Sequence, residues 1–317
     1  MQRVLTSVTL LGLLVLTAAA FAITEHLKQI KSPIFGAKIT NSDGVPTKVF
    51  SPVCHCPNNA ARLTIKLRHR DRVSVTIVDA ADHEVDALPS QTLEPRTPVQ
   101  FVWHGVKDDG SPAADGIYHP WVHLSNARHT FKFTNNIILD TKPPKVVSAP
   151  TVRKSTFFAG GGRTVAIHYA FSEPAHAAVY LRGRRIILGR HTKQGPKDKV
   201  EWAGTVDFRP LPAGTYTLSV GGIDKAGNET PVAGRKDVKV TVRYVQLSPT
   251  RVAVRSGKRF TVFVRTAARH YGWRLGGQHG SHRSRILHLR APTTPGTYRL
   301  VVTEDGESAT AVVRVHA

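Results

Sequence analysis

The sequence predicts an all-β fold in which tandem antiparallel β-sandwiches follow a single apolar N-terminal helix. Turn residues are frequent, with 25 Gly and 20 Pro in 317 residues. Between these turns apolar and polar residues alternate, as they do in strands that bury one face and expose the other. Beyond the N-terminal segment no stretch shows the periodicity of an amphipathic helix, which favours sheets throughout the rest of the chain.

The clearest alternating segments lie at residues 61–67, 73–78, 238–242, 260–264 and 298–302. Many short strands separated by Gly- and Pro-containing turns are typical of two packed antiparallel sheets. The 41% hydrophobic content excludes a disordered basic chain, because such a chain could not bury enough apolar surface to offset the entropy of ordering. Two cysteines are too few for a disulfide-dense scaffold.

Residues 4–23 contain no charged side chain and are long enough, at about 30 Å as a helix, to cross a bilayer. The length favours an uncleaved signal anchor, and we assign residues 1–35 to this anchor and a polar stalk. A signal peptide cleaved after Ala20-Phe21-Ala22 is the alternative. Because Lys28 and Lys31 follow, flanking charge does not fix the orientation. The expected location is the cell membrane, single-pass with the bulk of the chain outside, or secreted if cleavage occurs.

Three units are expected after the stalk, at residues 36–146, 147–244 and 245–317. The run D-T-K-P-P at residues 140–144 ends the first unit, because consecutive prolines cannot continue a β-ladder. The break before the third unit is marked by L-S-P at residues 247–249. With 73 residues, the third unit is expected to be a compact sandwich of six or seven strands.

A repeat of Trp, a Gly-containing turn and Tyr recurs in the three units. The first copy reads W-H-G-V-K-D-D-G at residues 103–110 and D-G-I-Y at 115–118. We expect the Trp to fill the core between the sheets and the Gly to form a tight turn. We expect the Tyr to lie at the core rim with its hydroxyl toward water or a backbone carbonyl. A ligand platform formed by these aromatics is the alternative.

The second copy reads W-A-G at residues 202–204 and L-P-A-G-T-Y at 211–216, and a weaker third copy joins Trp273 to P-G-T-Y at 295–298. The residues assigned to this motif are Trp103, Gly105, Asp109, Gly110, Gly116, Tyr118, Trp202, Gly204, Gly214 and Tyr216.

The combination W-x-G-x-x-D-D-G…D-G-x-Y followed by D-T-x-P-P resembles the FlgD-type Ig-like domain of bacterial surface and secreted proteins. The second unit resembles it through W-x-G…L-P-A-G-x-Y…D-x-A-G-N, and the third is similar to Ig-like repeats in general. The resemblance covers roughly residues 45–240. It implies tandem Ig-like or fibronectin-like sandwiches and a non-catalytic surface or adhesion-like module.

Cys54-His55-Cys56, between Pro52 and Pro57, allows three interpretations. A disulfide between Cys54 and Cys56 is favoured for an oxidising exterior. Free or intermolecularly paired thiols are the second interpretation, and part of a copper or zinc site is the third. No metal site is predicted, because the sequence contains no further cysteine to complete one. The pair His279-x-x-His282 does not alter this, since the sequence has no carboxylate between residues 251 and 300 to support it.

Signatures of catalysis are missing: the sequence contains no G-x-S-x-G elbow, P-loop, H-E-x-x-H or dinucleotide-binding fingerprint. Asp108, Asp109 and Asp115 could form a weak Ca²⁺ site, but their neighbouring glycines favour turns. We therefore expect no enzymatic activity and no cofactor.

The net charge of +22 is unevenly distributed along the chain. Residues 36–146 hold 13 Lys and Arg against 11 Asp and Glu, whereas residues 147–244 hold 16 against 7 and residues 245–317 hold 12 against 3. Such basic units attract anionic polymers, although strand faces can carry arginine merely for solvation. The predicted anion-binding residues are Arg182, Arg184, Arg185, Arg283, Arg285 and Arg290.

These features predict a non-catalytic cell-envelope binding or spacer protein whose basic units contact an anionic wall polymer. The expected partners are the membrane, through the N-terminal helix, and a wall glycan, lipid headgroups or another envelope protein. Nucleic acid is unlikely on the sequence, because no recognised nucleic-acid-binding motif is present. The alternatives are a secreted binder of polyanions or nucleic acid, and an accessory substrate-binding partner of an envelope enzyme.

Overall fold

The structure, a computed structural model, describes residues 15–17, 32–189 and 195–317. The described chain is built almost entirely of β-strands, with three-residue 3₁₀ turns at Pro57–Asn59 and Val232–Gly234. It divides into two compact units, Met1–Thr141 and Lys142–Ala317. The first unit contains one β-sandwich and the second contains two.

The predicted membrane helix at residues 4–23 lies outside the described residues except at 15–17, which are helical. Among the residues that the structure describes, no helix is both long and apolar enough to span a bilayer.

The first sandwich packs a three-stranded sheet, in the order β1-β3-β6, against a sheet in the order β2-β9-β7-β4-β5, with β8 added beside β7. All pairs are antiparallel except β2 with β9, which is parallel. The strands are β1 (Ile34–Thr40), β2 (Val49–Phe50), β3 (Ala61–Leu67), β4 (Asp71–Asp79), β5 (Glu84–Leu93), β6 (Val99–Trp103), β7 (Gly116–Leu124), β8 (His129–Lys132) and β9 (Ile137–Leu139).

The second sandwich repeats this arrangement, with one sheet in the order β10-β12-β15 and another in the order β11-β19-β18-β13-β14. A separate two-stranded hairpin joins β16 and β17. The strands are β10 (Val146–Val152), β11 (Thr156–Phe158), β12 (Val165–Phe171), β13 (His176–Leu181), β14 (Arg184–Leu188), β15 (Lys197–Trp202), β16 (Thr205–Val206), β17 (Arg209–Pro210), β18 (Gly214–Ile223) and β19 (Lys236–Arg243).

The third sandwich has sheets in the orders β20-β22-β25 and β21-β27-β26-β23-β24. It contains eight strands rather than the expected six or seven, because Pro249 divides the first strand into β20 and β21. The strands are β20 (Val245–Ser248), β21 (Arg251–Arg255), β22 (Arg259–Thr266), β23 (Tyr271–Leu275), β24 (Gln278–His282), β25 (Ile286–Arg290), β26 (Gly296–Glu304) and β27 (Glu307–His316).

All three sandwiches share one topology. The beginning of the first strand pairs within the three-stranded sheet, and its continuation crosses to the other sheet, where it runs parallel to the last strand. In the larger sheet the last strand (β9, β19 or β27) lies beside β7, β18 or β26. That strand in turn lies beside β4, β13 or β23. This order is that of an Ig-like sandwich, so the expected fold class is confirmed for the described β-sandwiches.

Each sandwich has its own core, formed by the inward positions of the alternating strands. In β4, for example, Val73, Val75 and Ile77 are buried while the intervening side chains are partly exposed. Burial of each such side chain contributes about 1.5–3 kcal/mol to folding. The sandwich limits differ slightly from the expected ones, because Ile34 belongs to the first core and Val146 to the second.

Candidate functional site

The two motif tryptophans lie at equivalent places, at the ends of β6 and β15, and each is 1% exposed. Trp103 donates its indole N–H to the carbonyl oxygen of Val106 at 2.8 Å, and Trp202 donates to that of Thr205 at 2.9 Å. The buried indole therefore keeps its one polar atom paired. Both side chains fill cores, which agrees with the packing interpretation and leaves no exposed aromatic platform at these positions.

The glycine two residues after each Trp has a backbone that requires glycine. Gly105 and Gly204 have φ of +72° and +77°. A Cβ on Gly105 would lie 3.1 Å from the Pro52 Cγ, and one on Gly204 would lie 3.2 Å from the Ala159 Cβ. Gly110 also has a positive φ, of +78°, but a Cβ there would meet nothing within 4 Å. The motif glycines therefore permit both a turn and a close approach of the chain to the core.

The motif tyrosines close the turn that precedes the penultimate long strand. Tyr118, Tyr216 and Tyr298 donate their hydroxyls to the carbonyl oxygens four residues upstream, at 2.5, 2.7 and 2.9 Å. This is the tyrosine corner of Ig-like sandwiches. Gly116 and Gly214 begin the same strands and lie against the rings of Tyr118 and Tyr216. The repeat is therefore a set of turn-forming residues.

The motif aspartates of the first sandwich hold loops through backbone hydrogen bonds. Asp109 accepts hydrogen bonds from the side chain and from the N–H of Ser111, and these two bonds lower the pKa of its carboxyl. Asp108 accepts from the Ala87 N–H, and Asp115 accepts from both the N–H and the hydroxyl of Thr141. The last contact joins the D-G-x-Y turn to the D-T-x-P-P segment.

The interpretation of Trp273 as a third copy of the buried Trp is wrong. Trp273 lies in β23 and is only partly buried, whereas Trp103 and Trp202 end the third strand of the smaller sheet. Its ring packs over Gly280 on the neighbouring strand β24, where a Cβ would come within 3.1 Å of the ring. Only the tyrosine corner of the motif is kept in the third sandwich.

Cys54 and Cys56 are joined by a disulfide with an S–S distance of 2.10 Å and a Cα–Cα distance of 5.2 Å. Cys54 is buried beside the first core, and the Cys54 N–H donates to the carbonyl oxygen of Ser51. The bridge closes the turn between β2 and β3, which connects the two sheets.

A cleft of about 1150 Å³ lies between the second and third sandwiches, which belong to the same compact unit. Five cationic side chains line it, and no Asp or Glu does. All five are exposed, and in the described chain none of them forms an ion pair. They are Arg153, Lys154, Arg163, Arg265 and Arg285.

The remaining lining combines neutral polar groups with one exposed aromatic ring. Gln246 and Ser248 lie on β20, and Phe263 on β22 is 55% exposed. In contrast, Phe158 is 6% exposed and its ring is covered by the guanidinium of Arg265 at 4.5 Å, which joins the two walls through a cation–π contact.

The structure brings only one of the predicted anion-binding residues, Arg285, into this cleft. Arg182 and Arg184 line a smaller cavity of about 570 Å³ beside Tyr216, and Arg184 forms an ion pair with Asp207. The remaining predicted residues, Arg185, Arg283 and Arg290, lie outside both cavities.

Four cationic residues of the cleft were missed, because they come from separate segments that packing brings together: Arg153, Lys154, Arg163 and Arg265. The only signal in the sequence is the general excess of positive charge in the second and third units.

Glu304 of β26 lies near the cleft and is 4% exposed. Among the described residues, no donor forms a hydrogen bond of good geometry with either of its carboxylate oxygens. Burial, followed by the charge of Asp305, raises the pKa of this carboxyl to about 7, and the Ala268 N–H opposes that shift only in part. A Cβ on Gly160 would lie 3.1 Å from its Oε1. The glycine loop of the second sandwich therefore covers a buried acid of the third.

No protein-family model matches the chain, and no curated protein matches it. Among solved structures it is similar to Escherichia coli alpha-2-macroglobulin, with 9% identity and a TM-score of 0.28, covering 90% of this chain and 22% of that one. The chain thus spans about a fifth of that protein.

It is also similar to a three-Ig fragment of titin, with 12% identity and a TM-score of 0.30, covering 90% of this chain and 98% of that one. For the extracellular domains 3–5 of Drosophila OTK the identity is 11%, the TM-score 0.20 and the coverage 89% and 97%. The strand order of the three sandwiches, and not these similarities, identifies them as Ig-like.

Proposed function

We propose that the protein is a non-catalytic binding or spacer protein displayed outside the cell membrane, and that it holds an anionic polymer in its basic cleft. The observation that carries the proposal is the cleft itself, which has five cations on two walls and no acid. Uncompensated cations on opposite walls bind a chain of anions by displacing its counterions. The apolar segment at residues 4–23 and the likeness of the motifs to FlgD-type surface domains support the location.

Binding should be measured with the full chain and fluorescently labelled polygalacturonate, from low salt to about 0.5 M. We expect the affinity to fall steeply with salt, because counterion release drives the binding. The double variant Arg163→Ala/Arg285→Ala removes one cation from each wall and should weaken binding about tenfold at moderate salt, with a shallower salt dependence.

The matched control is Arg255→Ala/Arg314→Ala, which removes two exposed arginines of the third sandwich that lie outside the cleft. The control should change the affinity less than about twofold. Equal losses of affinity in the two double variants would show that the polymer is attracted by the overall positive charge. That result would overturn the cleft as the binding site. Retention that ignores ionic strength would contradict charge-driven binding altogether.

The proposed location is tested separately by membrane fractionation combined with intact-mass measurement. An anchored protein should pellet with membranes and keep its full mass, whereas a chain beginning at Ile23 in the medium would show that the segment is a cleaved signal peptide.

A further inference from the structure

We infer that the cleft takes an acidic polysaccharide, in preference to polyphosphate or a nucleic acid. The inference rests on the proposed function, since it names the class of anionic polymer. The choice among anionic polymers rests on the uncharged side chains of the cleft.

The charged part of the lining suits carboxylate or sulfate groups that are spaced along a chain. Arg153, Lys154 and Arg163 come from the second sandwich, and Arg265 and Arg285 come from the third. Four of the five are arginines, whose planar guanidinium can bind a carboxylate with two parallel hydrogen bonds. Positive charge alone, however, does not distinguish one polyanion from another.

The neutral polar groups make that distinction. The side chains of Gln246 and Ser248 are exposed in the cleft and have no hydrogen-bond partner among the described residues. An amide and a hydroxyl each donate and accept, so they match sugar hydroxyls, which do the same. A polyphosphate offers acceptor oxygens only, so it can pair with the amide N–H groups of Gln246 but not with its amide oxygen.

The exposed ring of Phe263 supplies an apolar face. Its cross-strand neighbours are Ser248 on one side and Ile286 on the other, and Ile286 is itself 39% exposed. A sugar ring can place its C–H face on such a surface while its hydroxyls and carboxylate reach the polar groups beside it. Polyphosphate has no apolar face that could use this ring.

A single available ring also argues against single-stranded nucleic acid, which binds by stacking successive bases on several aromatic side chains. The other two phenylalanines of the cleft, Phe157 and Phe158, are buried, and Phe158 is additionally covered by Arg265. The cleft therefore has the charge for a nucleic-acid backbone without the aromatic platform for its bases.

The test compares polygalacturonate, long-chain polyphosphate and oligo-dT, at matched charge number and ionic strength, for binding to the full chain. We expect polygalacturonate to bind most tightly. Phe263→Ala should weaken that binding about three- to tenfold and leave polyphosphate binding unchanged, because the ring contributes only to the sugar contact. Gln246→Ala should act in the same direction with a smaller effect.

Phe208→Ala is the matched control, because Phe208 is a fully exposed phenylalanine of the same compact unit that lies outside the cleft. It should leave all three affinities unchanged. Tighter binding of polyphosphate or oligo-dT, or equal losses for all polymers in Phe263→Ala, would overturn the polysaccharide assignment while the anion-binding function stands. If none of the three polymers binds, the proposed function itself fails.

Discussion

The first sandwich and the pair of basic sandwiches have the same strand order but differ in the residue that precedes the turn glycine of the tyrosine corner. In the first, Asp115 accepts two hydrogen bonds from Thr141, and buried Asp71 accepts from the backbone N–H groups of Asn126 and Ala127. In the second and third, the residue before the turn glycine is Ala213 or Pro295. An acid before this glycine is therefore not required for the shared strand order.

This comparison separates the residues that specify the fold from those that give a surface its chemistry. Trp, Gly and Tyr at the motif positions hold the turns in the first and second sandwiches, although the net charges of these two sandwiches differ. The side chains of the cleft cations are exposed and belong to neither of the adjacent cores. Changes at the two sets of positions should therefore have separable effects on stability and on binding.

The largest expected effect is the loss of folding stability when a buried tryptophan is replaced. Trp103→Ala and Trp202→Ala should each lower the free energy of unfolding by about 3–5 kcal/mol, because each leaves a cavity and removes a paired indole. The two losses should be similar, since burial and hydrogen bonding are the same in both sandwiches. Urea denaturation followed by circular dichroism measures them.

Trp273→Ala is the control for this pair. Because Trp273 is only partly buried, its removal should cost clearly less than either core substitution. A loss as large as that of Trp103→Ala would contradict the placement of Trp273 at the periphery of its core.

A smaller effect is expected at the turn glycines. Gly105→Ala and Gly204→Ala should each cost about 2–4 kcal/mol, because the new Cβ combines an unfavourable positive φ with a contact near 3.1–3.2 Å. Gly110→Ala, at a similar φ but in open space, should cost only about 1 kcal/mol. Thermal denaturation of the three variants tests the comparison. Equal losses at all three positions would mean that close approach to the core contributes nothing.

The smallest effect concerns Glu304, a buried acid that lacks the backbone hydrogen bonds which buried Asp71 accepts in the first sandwich. Because the pKa of Glu304 is raised to about 7, the folded state binds this proton more tightly than the unfolded state. Its contribution to stability is therefore fully present at acidic pH and declines as the pH rises from the ordinary range of glutamate through about 7.

Thermal denaturation at pH 5 and at pH 8 measures this dependence. Wild type should lose more stability between the two values than Glu304→Gln does, and Glu84→Gln, an exposed acid of the first sandwich, should behave as wild type. An unchanged pH dependence in Glu304→Gln would show that the carboxyl is not buried in solution.

Much of the framework could be predicted from the sequence, because it depends on local patterns. Alternation at residues 73–78 and the glycines at 105 and 204 are signals of strand and turn that neighbouring residues suffice to produce. Trp273 was misplaced because spacing along the chain does not tell which strand of a sandwich a residue occupies. Its position follows from the pairing of β23 with β24.

The cleft could not be predicted in the same way. Arg163 and Arg285 are 122 positions apart in the sequence. They line the same cavity only because the second sandwich packs on the third. The burial of Glu304 has the same origin, since the Gly160 loop that covers it belongs to another sandwich. Contacts that depend on tertiary packing leave no periodic signal in the sequence.

The parallel pairing of the first and last strands has a mechanical consequence for the proposed spacer role. Tension between the two ends of a sandwich loads these strand pairs in shear, so their hydrogen bonds resist together rather than one after another. The paired stretch covers two residues in β2–β9, three in β11–β19 and five in β21–β27. Under a pull the sandwiches should therefore yield in chain order, with the third sandwich as the strongest link.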